Sequence, residues 1–474
     1  MPAKNTALAR GKGPMSTAST VDESVLELEV CLQDQSVGSL LYSSANNEYS
    51  FRYSPSWFEM PTAHGLSPSL QPEDSAALSN SALVKNFFEN LLPEGRALEE
   101  ICANRQISKA NVAGLLANLG LDLAGAVSIK VKGSKDAILD EPGDRLRPVS
   151  QQELSERIRN RSHSSLTYWD GKVRLSVAGY QDKVVVFERE GDWYFSNSPE
   201  ISSTVIIKPE PVNPMMAGAV YNEFVCMRLA DMVGVPAATV RLERIPEPIL
   251  IVDRFDREVS ADNESVRRIH VVDGCQALGL PVTSKYERLY GNNKDVSHIR
   301  DGASLPLLFG LRRHSTAPIV DDLKLLRWTI FQVLICNTDA HAKNISYFYD
   351  EGGLRLAPTY DLLCAPAFNN EGLVDDFAMG IGDAFTTQDL NVYEWADFCF
   401  RCQLTPQLVA KEIKSMTKKL HEKSSEMLRI ARDHDVPASL TDFILQYAIE
   451  VGEAQSKGVS SLTSVYRDEY KRKS

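Results

Sequence analysis

Asp339, Asn344 and Asp361 are the residues of this chain whose types and spacing could do chemistry. The first two lie in Asn337-Thr338-Asp339-Ala340-His341-Ala342-Lys343-Asn344. The third follows seventeen residues later, in Leu356-Ala357-Pro358-Thr359-Tyr360-Asp361-Leu362-Leu363. A carboxylate, a carboxamide five positions on and a second carboxylate after a short hairpin are the parts of a phosphoryl-transfer site. One Asp orients a hydroxyl nucleophile, while an Asn and another Asp hold Mg²⁺ over the phosphates. Asp and Asn are also common in loops because they cap helices and make Asx-turns. A bare D-x-x-x-x-N therefore arises by chance in most chains of this size, and its weight rests on a phosphate loop and a lysine upstream.

The elements around the run suit that work. Residues 322–336 read as a buried helix, acidic at its start and apolar at Leu325, Leu326, Ile330, Phe331, Val333 and Leu334. Residues 347–349 and 354–356 read as strands of a hairpin around Glu351-Gly352-Gly353, which would return Asp361 beside Asn344. Upstream, Arg174-Leu175-Ser176-Val177-Ala178-Gly179-Tyr180-Gln181-Asp182-Lys183 precedes a strand at 184–187. Small residues in such a turn let backbone N–H groups approach phosphates. With one Gly it matches neither Walker A nor G-x-G-x-x-G, and a hairpin turn ending in a solvated Lys is the plain alternative. The apolar strand 204–208 ends in Lys208, a cation that could reach nucleotide phosphates from a fixed backbone. A helix at 220–233 follows, stopped by Gly234 with Pro236 beyond. Its first turn holds Glu223, either the partner of Lys208 or an acid that favours the helix dipole. The strand 249–252 then runs into Asp253-Arg254-Phe255-Asp256-Arg257, where an adenine hinge would sit; Arg254 and Asp256 read equally well as a structural ion pair.

Composition narrows the class. The 474 residues suffice for two or three domains, and 43% hydrophobic with 24% charged residues is ordinary for a soluble globular protein. A net charge of −12 argues against general coating of nucleic acid. Eight scattered cysteines, several inside apolar runs, indicate reduced intracellular usage, and Cys399 and Cys402 read as structural because nothing nearby completes a zinc site. No apolar stretch approaches a membrane span, and residues 1–24 lack the apolar region of a secretory signal. They read as a disordered tail, and the protein is expected in the cytoplasm. Residues 25–53 read as short strands, 83–90, 97–104 and 108–119 as helices and 127–131 as a strand. Residues 132–170 read as a domain junction with one helix at 151–159.

Together these residues resemble the HipA-type serine/threonine kinases, the toxin half of HipBA-type toxin–antitoxin pairs. The resemblance runs from about residue 25 to the C-terminal helices. It is carried by Phe87-Phe88-Glu89-Asn90-Leu91-Leu92-Pro93-Glu94-Gly95, by S-x-A-G-x-Q-x-K from Ser176 to Lys183, and by Ile206-Ile207-Lys208-Pro209. Asn222-Glu223, Asp253-Arg254-Phe255-Asp256-Arg257, H-x-x-D-x-C-Q-A-L from His270 to Leu278, and the Asp339, Asn344 and Asp361 runs complete it. The resemblance implies an α+β, bilobal protein-kinase-like fold related to phosphoinositide kinases. After the tail it would comprise an N-terminal subdomain (25–140), a nucleotide-binding small lobe (141–256) and a mostly helical C-terminal lobe with the catalytic loop (257–474).

The resemblance also implies roles. Asp339 becomes the base for the acceptor hydroxyl, Asn344 and Asp361 the Mg²⁺ ligands, and Glu223 the partner of Lys208. ATP would be held by Val177, Ala178, Gly179, Tyr180, Gln181, Asp182, Lys183 and Lys208, by Asp253, Arg254 and Phe255 at the hinge, and by the bordering His341 and Lys343. Ser176 would be autophosphorylated as an off-switch, since about two added negative charges beside ATP phosphates repel the nucleotide. Tyr180 stands where small residues are frequent in the family, and Asp182 and Asp253 where Glu is usual; no catalytic group is lost. The implied partners are a protein substrate and a helix-turn-helix antitoxin of the HipB type, with operator DNA reached only through that complex and no membrane. The implied outcome is translation arrest, with an aminoacyl-tRNA synthetase as a family precedent for the substrate. The alternatives are a mainly co-repressing, antitoxin-binding role, or a small-molecule or lipid kinase.

Overall fold

The computed structural model describes residues 25–33, 35–72, 81–119, 123–133, 145–163, 165–174, 181–198, 200–291, 293–368 and 376–470. In the first strand, Val25–Leu32, the alternate residues Leu28, Val30 and Leu32 are buried, the period of a sheet with one covered face. It pairs antiparallel with Gln35–Ser43 on one side and Val127–Val131 on the other, and Glu48–Tyr53 completes the four-stranded sheet. The helix Ser81–Glu89 lays Val84, Phe87 and Phe88 on that sheet, with Phe88 5.7 Å from Phe51. The chain then returns through the helices Gly95–Arg105 and Val112–Leu119.

The second sheet has six antiparallel strands in the order Val240–Arg244, Pro248–Asp253, Val205–Pro209, Val184–Arg189, Asp192–Ser196, Leu146–Val149. The strand Leu146–Val149 falls inside the stretch that composition marks as a junction. Arg147 and Pro148 disguise an edge strand, the place where such residues are tolerated. Alternation along Pro248–Asp253 sends Ile249 and Ile251 into one cluster, and Leu250 and Val252 into another shared with the helix Ala219–Val233. Lys208 pairs across the sheet with Leu250 and so faces that helix. The helix begins at Ala219, after Gly218 in a left-handed conformation, and ends at Gly234 as expected. This start moves Glu223 from the predicted first turn to the second, so a capping role is not available to it.

The helical lobe is entered through a three-stranded sheet, Val271–Asp273, Ser346–Asp350, Gly353–Leu356, with the helix Pro318–Ile335 behind it. That helix starts four residues earlier than predicted because Pro318 suits the first position, where no amide donor is needed. The helices Val392–Cys402, Pro406–Asp433, Ala438–Gly458 and Leu462–Tyr470 complete the lobe.

Three elements far apart in sequence are clasped by charge. Asp256 lies between Arg254 and Arg257, at 2.8 and 2.7 Å, and accepts the Gly125 amide at 2.9 Å. Arg257 and Arg268 donate in turn to the carbonyls of Leu123 and Gly125, and Arg268 also to that of Val127. Gly125 has φ +66, and a Cβ there would stand 2.8 Å from the Val271 amide.

Candidate active site

Lys208 is where the two lobes meet chemically. Its Nζ lies 2.6 Å from Glu223 Oε1 and 2.8 Å from Asp361 Oδ1, with the side chain only 10% exposed. Burial works against the ammonium, but Asp361 and Glu223 more than offset it and hold Lys208 protonated above its usual range. Glu223 is almost fully enclosed. Burial pushes it up to about 7 against the pull of Lys208, while burial of Asp361 is outweighed by Lys208, leaving that carboxyl below its ordinary value. A lysine held cationic at 2.6 Å keeps the Glu223 contact an ion pair. Lys183, also buried, drops to about 8 through desolvation and then through the nearby charge of Lys208.

Asp361 itself has φ 59, a left-handed backbone that Asp and Asn adopt more readily than other residues with a Cβ. The segment is fixed around it. Asn222, one helix residue before Glu223, exchanges two hydrogen bonds with the backbone of Cys364, at 2.8 and 2.9 Å. Tyr360 donates to the Lys343 carbonyl, and Thr359 is tied to Pro236 and Ala238 through the backbone.

The loop bearing Asp339 and Asn344 is braced from within. Asn337 accepts the Asp339 amide at 3.2 Å and donates to Gln332 at 2.9 Å. Asn344 Nδ2 donates to the Asp339 carbonyl at 2.8 Å; because that partner can only accept, the amide is oriented with its Oδ1 left for another ligand. The Asp339 side chain is 56% exposed to the cleft, yet protein walls its other sides. That desolvation raises its carboxyl to about 6, with Tyr286 pulling down and Asp361 pushing up. His341 is buried and neutral, lowered to about 3 by burial and by Lys285. Its Nε2 lies 3.9 Å from Asp339 Oδ1.

Other predicted site residues take different places. Lys343, expected beside the nucleotide, spends its three donors on Asn90 O, Asn90 Oδ1 and Asp273 Oδ2 at 3.0, 3.0 and 2.8 Å. An ammonium so satisfied braces the N-terminal subdomain against the loop. The Arg254 guanidinium is likewise spent on Asp256 and Ser203, and its amide donates to the Thr204 carbonyl. Asp253 faces Arg241 at 3.5 Å, and Phe255 packs on Phe348 and Tyr360 with ring centroids 5.8 Å apart. Gln181 donates to the Pro209 carbonyl at 3.4 Å, and Asp182 lies 3.8 Å from Arg161. Ser176, Val177, Ala178, Gly179 and Tyr180 lie outside the described residues.

Sequence reasoning missed Tyr286, whose hydroxyl donates to Asp339 Oδ1 at 2.5 Å, and Lys285, which pairs with Glu94 at 2.7 Å. Nothing in Lys285-Tyr286-Glu287 marks a site, since Lys and Glu flanking a Tyr are common at surfaces.

Comparison with known proteins matches this geometry to one family. Residues 28–130 fit the HipA N-terminal domain and residues 175–424 the HipA-like C-terminal domain. The chain is 34% identical over 415 residues to the serine/threonine-protein kinase toxin HipA of Shewanella oneidensis, covering 87% of this chain and 91% of that protein. It is 31% identical to the putative kinase Y4mE of Sinorhizobium fredii, over 82% of this chain and 89% of that one. Among solved structures, HipA of Shewanella oneidensis MR-1, in complex with HipB and its operator DNA, superposes with a TM-score of 0.79 at 30% identity, covering 92% of this chain and 99% of that chain. The chain therefore belongs to the HipA family of serine/threonine-protein kinase toxins and has its α+β, kinase-like fold.

Proposed function

We propose that this kinase transfers the γ-phosphoryl group of Mg-ATP to a serine of a cytoplasmic protein and thereby arrests translation, with a component such as an aminoacyl-tRNA synthetase as target. One observation carries the reading: a buried lysine bridges Glu223 of the small lobe and Asp361 of the helical lobe, beside a loop that presents Asp339 and Asn344. In this reading Asp339 accepts the proton of the attacking hydroxyl through the carboxylate oxygen that opens to the cleft. Lys208 and Lys183 face the phosphates, and the backbone from Asp253 to Phe255 meets the adenine.

The donor set suits Mg²⁺. Asp361 offers a carboxylate and Asn344 its outward Oδ1, few and hard oxygens of the kind that share this ion with substrate phosphates. When bound, the ion would neutralise phosphate charge. Ser176, which opens the motif S-x-A-G-x-Q-x-K in the sequence, is the proposed autophosphorylation site, and its modification would expel ATP by charge repulsion.

The test is transfer of radiolabelled γ-phosphate by the full chain, with and without EDTA. Mg²⁺-dependent labelling of Ser176 and of an added protein acceptor is expected. Labelling that survives both EDTA and Asp339→Asn would overturn the assignment. A second reading, co-repression through a HipB-type helix-turn-helix antitoxin, draws support from the related HipA, which was solved with HipB and operator DNA. The two readings separate cleanly, because a co-repressor function would persist in Asp339→Asn while phosphoryl transfer would not.

A further inference from the structure

We infer that Tyr286 is a positioning residue for Asp339, holding one carboxylate oxygen so that the other is presented to the acceptor hydroxyl, and that the N-terminal subdomain sets its position through Glu94. The inference rests on the kinase reading of Asp339. Tyr286 donates to Asp339 Oδ1, the same oxygen that His341 Nε2 approaches at 3.9 Å. Among the described residues no hydrogen bond reaches Oδ2, and the side chain is more than half exposed to the cleft. A carboxylate with one oxygen tethered cannot swing freely about its terminal torsion, a broad and soft rotation in an untethered Asp.

Tyr286 is itself held by its ring and its backbone. Its ring meets His341 edge-on at 5.0 Å, with the Lys285 ammonium 5.6 Å from the ring centre. The neighbouring backbone is tied at three points: the Ala342 amide to the Lys285 carbonyl, the Ala303 amide to Ser284, and the Gly302 amide to Glu287. Gly302 is pressed so closely on this segment that an added Cβ would fall 1.8 Å from the Tyr286 carbonyl oxygen. Burial, and then the charge of Asp339, push the phenol above its ordinary range, so it remains a donor at every working pH. Lys285 continues the chain of contacts to Glu94 at 2.7 Å, and Glu94 lies in the turn just after Asn90, which braces Lys343. The catalytic loop is thus held at two points by one short turn of the N-terminal subdomain.

The test compares wild type, Tyr286→Phe, Glu94→Gln, Asp339→Asn and the Tyr286→Phe/Asp339→Asn double variant. The readouts are kcat and KM for ATP with myelin basic protein as acceptor, and ATP affinity by calorimetry. Tyr286→Phe keeps the ring on His341 and removes only the donor. Its kcat should fall between about ten- and a hundredfold, the worth of a hydrogen bond to a charged group, with ATP affinity unchanged. The double variant should be no slower than Asp339→Asn alone, and Glu94→Gln should show a smaller loss of kcat in the same direction. A Tyr286→Phe enzyme with wild-type kcat overturns the positioning role while leaving the base assignment intact. So does a parallel loss of ATP affinity and kcat, which marks a merely structural residue. Wild-type turnover by Asp339→Asn overturns both the inference and the reading beneath it.

Discussion

At the scale of residues, the site is a small set of charges that stabilise one another only while all are present. Lys208→Met would leave the buried Glu223 and the partly exposed Asp361 without their cation, a loss of up to about 3–5 kcal/mol for a broken buried pair. Chemical denaturation should show that destabilisation in the absence of any nucleotide, alongside loss of ATP binding. Asp339→Asn should behave in the opposite way. The swap is nearly isosteric at a half-exposed position, so the unfolding midpoint should stay within a degree or two while transfer falls at least about a hundredfold, the usual share of a general base. The raised carboxyl of Asp339 adds a pH signature. A base works only deprotonated, so kcat/KM, which reports the free enzyme, should be near half its plateau at about pH 6, rise to the plateau above it and fall tenfold per pH unit well below it. A profile flat to pH 5 would argue against Asp339 as the base. Asp339, Asn344, Asp361, Lys208 and Glu223 were all legible in the sequence, because loop, strand and helix signals surround each of them. The braces were not. Asn90 meets Lys343 across 253 positions, and a turn such as Leu91-Leu92-Pro93-Glu94 carries no periodic signal that names its partner.

Among elements, apolar alternation made the strands readable, and glycines made the helix ends readable. The runs Ile249–Val252 and Val205–Ile207 are apolar without alternation because both faces of their sheet are covered, and the second leads into the buried charge of Lys208. Leu146–Val149 escaped notice because an edge strand need not be apolar. Of the charged clasp, the Arg254–Asp256 ion pair was one of two readings open in the sequence; its extension escaped, because Arg268 and the carbonyls of residues 123–127 lie in segments that only the fold brings to Asp256 and Arg257. Burial alone would push the Asp256 carboxyl up, but Arg254 and Arg257 hold it well below the usual range. Its unfolded value is near 3.9, so its stabilisation is complete above about pH 4 and disappears as the pH falls toward the folded value. Asp256→Asn should therefore unfold at clearly lower denaturant than wild type at pH 7, with the gap narrowing at pH 3. An unchanged gap would mean that the clasp owes little to the charge. Gly125→Ala should loosen the same junction, through backbone strain at φ +66 and the 2.8 Å approach to Val271.

For the whole molecule, the order of the chain and the order of the cores differ. The N-terminal sheet and the helical lobe share one continuous apolar cluster, whereas the outer face of the small-lobe sheet has its own. Partial unfolding should follow the cores. Hydrogen exchange should release the strands Leu146–Val149 and Asp192–Ser196 together, before Val25–Leu32 or Pro318–Ile335. Simultaneous release of all four would indicate a single cooperative unit.

The brace between Asn90 and Lys343 also bears on synthesis. With 253 residues between the partners, and elongation at roughly 5–20 residues per second, the N-terminal turn leaves the ribosome some ~10–50 seconds before the loop it steadies. A nascent chain thus has its scaffold waiting and the loop of Asp339 and Asn344 still unmade. A translation product that stops before the loop would contain the N-terminal subdomain without the residues it steadies, so any activity of that loop requires synthesis to pass Lys343.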